Sequence, residues 1–143
     1  MTVQQISVFL ENKAGRLAAA AAALKNGGVN IRALSIADSE NYGVLRMIVN
    51  DPDKATAVLT DAGFVAKRNP IVAVEVDDRV GIMCDITQLC DTENVNVEYM
   101  YSFVEQSSNK AILFLRFEDT DAAVRMFVKS GYKLLSPDEV CKI

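Results

Sequence analysis

The chain has 143 residues, half of them hydrophobic and 24% charged, with a net charge of −4 and no histidine. That balance belongs to a globular protein of one ordinary domain or two very small ones. It excludes Ser-His-Asp and Cys-His catalysis outright, and no apolar run reaches the roughly 18 residues of a membrane helix.

The start, Met1-Thr2-Val3-Gln4-Gln5, lacks the basic and then apolar pattern of a signal peptide, so a cytoplasmic location is expected. Residues 4–10 alternate, with Ile6, Val8 and Leu10 on one face, which predicts a strand. A helix is expected over residues 15–26. Leu17, Ala20, Ala21 and Leu24 lie at i, i+3, i+4 and i+7 and should form its buried stripe. The six alanines from Ala18 to Ala23 favour helix, and Gly27-Gly28 ends it. A second strand runs over 29–37, Ser39-Glu40-Asn41 turns the chain, and 43–49 is a third strand. Asp51-Pro52 has the form of an N-cap followed by proline at the first helical position. The next helix should bury Ala55, Val58, Leu59 and Ala62, and a short strand over 64–68 follows Gly63.

The chain then repeats itself. Ser7 to Leu17 matches Ala73 to Met83 at an offset of 66, and Val29-Asn30-Ile31 matches Val95-Asn96-Val97 at the same offset. Gly63-Phe64 matches Gly131-Tyr132 at 68. Two extra residues fall near Glu105-Gln106-Ser107-Ser108-Asn109, a polar run suited to a hairpin loop. Strands are therefore expected over 71–76, 95–104, 111–117 and 132–135, and helices over 81–93 and 121–130. Ser136-Pro137-Asp138-Glu139 has capping-box spacing for a last helical turn. Cys84 and Cys90 fall in an apolar helical stretch and read as buried thiols. With Cys141 they form no CxxC pair, so no structural disulfide, metal or other cofactor is expected.

Each copy reads βαββαβ, the split βαβ motif. The expected fold is α+β: two ferredoxin-like units in tandem, residues 1–68 and 69–143, each an antiparallel sheet with helices on one face. The halves differ in charge. The first has eight Lys/Arg against six Asp/Glu, net +2, and the second seven against thirteen, net −6. Neither has a basic stripe, so neither nucleic acid nor membrane is expected as a partner.

The candidate site is the loop between the first strand and helix, Asn12-Lys13-Ala14-Gly15, with Arg16 and Leu17 behind it. A helix N-terminus offers unpaired N–H groups and a positive dipole end to a carboxylate, and Gly15 permits close approach. Asn30, followed by Ile31, is read as lying at the same sheet end. An asparagine amide both donates and accepts, so the set suits a zwitterion. Tight-turn glycines and edge asparagines explain the same residues without a ligand. In the second copy the equivalents are Asp78, Val80, Gly81, Ile82 and Asn96.

Asn12 to Leu17 followed by Gly28-Val29-Asn30-Ile31, repeated as Asp78 to Ile82 followed by Asn94-Val95-Asn96-Val97, resembles the ACT domain. The resemblance covers nearly the whole chain as two units. It implies a regulatory module that binds a small ligand, usually an amino acid, at an interface between two units. Asn12 matches the loop residue that holds ligand in serine-binding members, and Asn30 the asparagine opening the second strand. The loop proline common in the family is Ala14 and Val80 here. A polar position of serine-binding members is Leu10 and Val76, which disfavours serine and permits an apolar ligand side chain.

Three functions are weighed. One is an amino-acid sensor without chemistry of its own, homo-oligomeric and acting on a metabolic enzyme. Another is a ligand-free assembly module. The third is a small acyl-phosphate hydrolase using Arg16 or Arg79 with an asparagine, although no glycine-rich phosphate cradle is present.

Overall fold

The computed structural model describes residues 1–39, 41–105 and 109–142. Glu40 of the expected first turn, and Gln106, Ser107 and Ser108 of the expected insertion, lie outside the described residues. The elements are β1 (Val3–Glu11), α1 (Arg16–Asn26), β2 (Ile31–Asp38), β3 (Tyr42–Val49), α2 (Pro52–Asp61) and β4 (Val65–Asp77). They continue as α3 (Ile82–Thr92), β5 (Val97–Glu105), β6 (Lys110–Phe117), α4 (Thr120–Lys129), β7 (Lys133–Leu134) and α5 (Pro137–Val140).

Two compact units form. One is Gln4–Asn69 together with the segment from Asp138 on. The other is Met1–Val3 together with Pro70–Pro137. The C-terminal segment thus groups with the first repeat rather than with the one that precedes it. Its Val140 is fully buried, and the Cys141 thiol donates to the Val49 carbonyl at 3.7 Å.

Within the first unit the strands lie in the order β4-β1-β3-β2, using the first part of β4. Ile6 faces Met47 and Val8 faces Leu45 across β1 and β3, and Leu34 of β2 faces Met47. Opposed residues share a sheet face, so the alternation of β1 places Ile6, Val8 and Leu10 under the helices, where all three are buried. Ala20 and Leu24 of α1 and Ala55 and Leu59 of α2 close this core. The second unit repeats the order as β7-β4-β6-β5. Its core joins Val72, Val74 and Val76 to Leu113, Leu115 and Phe117, beneath Ile86 and Phe127. Phe127 meets Phe117 and Tyr132 edge-on at 6.0 and 5.7 Å.

Four sequence expectations need correction. The strands expected over 64–68 and 71–76 are one strand of thirteen residues running through Asn69-Pro70. The strand expected over 132–135 is reduced to Lys133–Leu134. On α1 only Ala20 and Leu24 are buried, while Leu17 and Ala21 are exposed. On α2, Val58 is half-buried and Ala62 is exposed. Cys90 is buried but Cys84 is exposed. A hydrophobic period gives the central line of a helix face. It does not give which flank a neighbouring helix covers.

Gly27 shows where that neighbour sits. Its φ of −77° suits any residue, but a Cβ there would stand 2.7 Å from Val58 Cγ1. α1 and α2 therefore meet at a position that only glycine leaves room for. Gly27→Ala should cost about 1–3 kcal/mol through overpacking. Val58→Ala in the same chain should return part of that, as a favourable coupling in a urea-unfolding double-mutant cycle.

Candidate functional site at the strand–helix loops

The first loop is built from the end of β1 and the start of α1. Gly15 caps the helix at φ +87°, in the left-handed region, and no side chain caps the first-turn N–H groups. A Cβ at Gly15 would meet nothing within 4 Å, so the demand for glycine is conformational. The other helix of the unit starts differently. Asp51 caps α2 by accepting from the Lys54 N–H at 3.0 Å, and Asp119 caps α4 from Ala122 at 2.9 Å. Each unit thus has one helix start closed by an aspartate and one left open behind a left-handed glycine, because α3 begins at Gly81 with φ +89° and no side-chain cap.

Asn12, Lys13, Ala14, Gly15 and Leu17 are exposed and Arg16 is half-buried. The Asn12 N–H donates to the Asn41 carbonyl at 3.0 Å, which ties the loop to the β2–β3 turn. Glu11, Asn12 and Lys13 with Asn41 and Tyr42 line a hollow of about 310 Å³. Asn41, Tyr42 and Glu11 escaped the sequence reading. The topology could have supplied the first two, since the β2–β3 turn of this motif lands beside the end of β1. Leu10, read as shaping ligand choice, points into the core at 5% exposure, as does Val76 at 3%. These two residues therefore line the core and not the hollow, and Glu11 is the neighbouring side chain that reaches the site.

Lys13 Nζ lies 2.8 Å from Glu11 Oε2. Hydrogen bonding and charge from Lys13 hold the Glu11 carboxyl below the ordinary glutamate range, and Glu11 raises Lys13 in return. The Arg16 guanidinium sits 4.7 Å above the centre of the Phe64 ring, and its Nε is buried without a hydrogen-bond partner.

The second loop is internally matched. Arg79 pairs with Asp85 and Lys110 pairs with Asp77. These contacts raise Arg79 and Lys110 and lower Asp77. The Asp78 N–H donates to the Asn109 carbonyl at 3.0 Å. Asp78, Val80 and Gly81 are exposed, and Ile82 packs partly against the core. Asp85 lies in the first turn of α3, whereas α1 has no acid in its first turn. An anion arriving at α1 meets an unshielded dipole end; at α3 a carboxylate is already there.

Asn30 is not at the loop. The helix carries the chain back across the sheet, so β2 starts at the opposite end from Asn12. The Asn30 N–H donates to Asn50 Oδ1 at 2.8 Å, and its carbonyl accepts from the Asn50 N–H at 3.1 Å. The eleven residues of α1 put about 16 Å between these ends at 1.5 Å per residue. Asn30 instead lines a hollow of about 420 Å³ with Lys25 and the half-buried Ile31. Asn96 lines the equivalent hollow of about 350 Å³ with Asp91 and Thr87. The loop residues form one cluster in each unit, and the strand-opening asparagines form another.

A family model described as an ACT domain pair matches residues 1–143. Among solved structures, protein BT0572 from Bacteroides thetaiotaomicron is 33% identical, with a TM-score of 0.94 over 100% of this chain and 98% of that one. The ligand-free regulatory subunit of aspartate kinase from Thermus thermophilus is 16% identical, with a TM-score of 0.62 over 90% and 91%. Aspartokinase III from E. coli, crystallised with lysine and aspartate, is 15% identical with a TM-score of 0.54, and the match covers 90% of this chain and 31% of that one. A search of curated proteins finds no significant match.

Lys13→Met should raise the Glu11 titration midpoint, read by carboxyl-resolved NMR. Because the folded value is depressed, the contribution of the pair is present above the ordinary glutamate pKa and lost as pH falls through the depressed value. An unmoved midpoint would show that Lys13 does not hold Glu11 in solution.

Proposed function

Because the chain belongs to the ACT domain pair family, we propose that it is an amino-acid-binding regulatory protein without chemistry of its own. The observation that carries this reading is the open N-terminus of α1, which combines a left-handed Gly15, no side-chain cap and no acid in the first turn. The free N–H groups of that turn and the dipole suit the ligand carboxylate. The Asn12 amide carbonyl and the Glu11 carboxylate suit its ammonium. Lys13 sits beside the site and keeps its potential positive overall.

The second loop supports the same site in a weaker form. Asp78 replaces Asn12 and Asp85 faces the helix start, so a ligand carboxylate is repelled twice. We assign the tighter site to the first unit.

Asn12 and Asn30 cannot hold one amino acid within one unit, because α1 separates them. A ligand touching both kinds of asparagine lies between units of different copies, so the working protein is a homo-oligomer. Its target is an enzyme of amino-acid metabolism in the cytoplasm. A structural neighbour described as a regulatory subunit of aspartate kinase, and another described in complex with lysine and aspartate, favour that class of partner and ligand.

A thermal-shift screen of the twenty amino acids tests the reading. A true ligand at 100 times its Kd should stabilise by about 2.7 kcal/mol. No shift with any of them favours the assembly module, and turnover of acetyl phosphate favours the hydrolase.

Calorimetry with the best ligand then locates the site. Asn12→Ala should weaken binding about tenfold or more, the loss of one hydrogen bond to a charged group, while Asp78→Ala should not weaken it. The reverse pattern would move the site to the second loop. Gly15→Val should weaken it further, since a β-branched residue resists φ near +87°.

A further inference from the structure

β2 and β5 are edge strands. Among the described residues β2 pairs only with β3, and β5 only with β6. Over the β2 edge, α1 presents Leu17, Ala21 and Lys25, spaced one helical turn apart. α2 meets α1 on the other flank, at Gly27 and Val58. The helix side of the β2 edge is therefore left bare. Leu34 and Ile36 lie opposite Met47 and Leu45 and share their face. They are 55% and 46% exposed, while the residues opposite are 0% and 2%. Leu17 adds 46% exposure. The α3–β5 edge repeats the arrangement with Met83, Thr87 and Asp91, of which Met83 is 40% exposed.

The two edges carry opposite charge. α1 holds Arg16 and Lys25 and no acid; α3 holds Asp85 and Asp91 and no base. Ion pairs within each unit neutralise Lys13, Asp77 and Asp85. Among the described residues Arg16 and Lys25 on one edge, and Asp78 and Asp91 on the other, have no ion-pair partner. Position 25 of the first repeat is position 91 of the second, so the sign is reversed at the same place in the fold.

We propose that the α1–β2 edge of one chain docks on the α3–β5 edge of a second copy. The bare apolar residues lie on the helix side, so the occupant must present its own helix side. A twofold rotation about an axis normal to the sheet does this and sets β2 antiparallel to the partner β5. α1 then runs antiparallel to the partner α3. Lys25 reaches the loop holding Asp78, and Asp91 reaches the loop and first turn holding Lys13 and Arg16. Pairing two α1–β2 edges would set Lys25 against Lys13 and Arg16, and pairing two α3–β5 edges would set Asp91 against Asp78. Like-charge contacts select against both. The exposed edges also gain cover, which an unprotected strand otherwise lacks.

The inference goes beyond ligand binding, and its test uses no ligand. Sedimentation velocity compares wild type with Ala21→Glu/Lys25→Glu and with Thr87→Lys/Asp91→Lys, all exposed helix positions. Each variant alone should associate about tenfold or more weakly than wild type, since like-charge juxtaposition is costly. An equimolar mixture of the two should associate as tightly as wild type. A monomeric wild type at high micromolar concentration would overturn the proposal. So would folded variants that still self-associate normally, or a mixture that fails to recover.

Carbodiimide cross-linking of mixed light and ¹⁵N-labelled wild type needs no variant. Mixed-isotope peptides joining Lys25 to Asp78 are expected. Cross-links confined to one isotope would refute the contact.

Discussion

A strand that ends beneath the start of its own helix must reverse sharply, and here a glycine in the left-handed region makes the turn. Gly15 at +87° and Gly81 at +89° spare the first turn the side chain that would otherwise cap it. The same geometry leaves backbone N–H groups facing outward at the end of a dipole. The openness of the site follows from how β1 joins α1 rather than from any one polar residue. The aspartate caps of α2 and α4 mark the alternative, a helix start that has satisfied itself.

Duplication gave the chain two copies of this arrangement, and substitution has driven them apart at equivalent positions. Ala19 corresponds to Asp85, Asn12 to Asp78 and Lys25 to Asp91. Each change adds negative charge to the second unit while leaving the helix in place, because all six residues are exposed. The fold tolerates them at almost no cost, since isolated surface charges contribute little to stability. Their effect falls on what approaches from outside.

Much of the fold was legible because it rests on local rules. The offset of 66 defined the repeat, alternation placed Ile6, Val8 and Leu10 on one face, and Asp51-Pro52 marked the start of α2. The last turn near Pro137 also followed from its cap spacing. What the sequence did not carry was lateral information. Leu17 and Ala21 fit a helical stripe but flank the buried line of Ala20 and Leu24, and only the position of Val58 decides which flank is covered. The unbroken β4 hides at Asn69-Pro70, where proline reads as punctuation although a strand can pass through it. The candidate loop was legible from its glycine and its place before α1. The misplacement of Asn30 was different in kind, since the chain order already required that a helix return the strand start to the far end of the sheet. Asn41 and Tyr42 came from a separate hairpin, and no spacing within the loop motif points to them.

That separation bears on how such a protein would work. An amino acid is far shorter than α1, so one molecule cannot join the loop to the strand-opening asparagine of the same unit. An antiparallel neighbour removes the distance, because it brings the far end of its own helix beside the loop. If the ligand and the partner copy meet at that place, each raises the affinity of the other by the same factor. A bound carboxylate would also lie close to Asp91 of the neighbour, so the charge that steers association would oppose the ligand. The ligand ammonium and Arg16 must then outweigh that repulsion. Such a balance makes the response depend on the ligand's own charge, and it favours a zwitterion over a simple anion at the same loop.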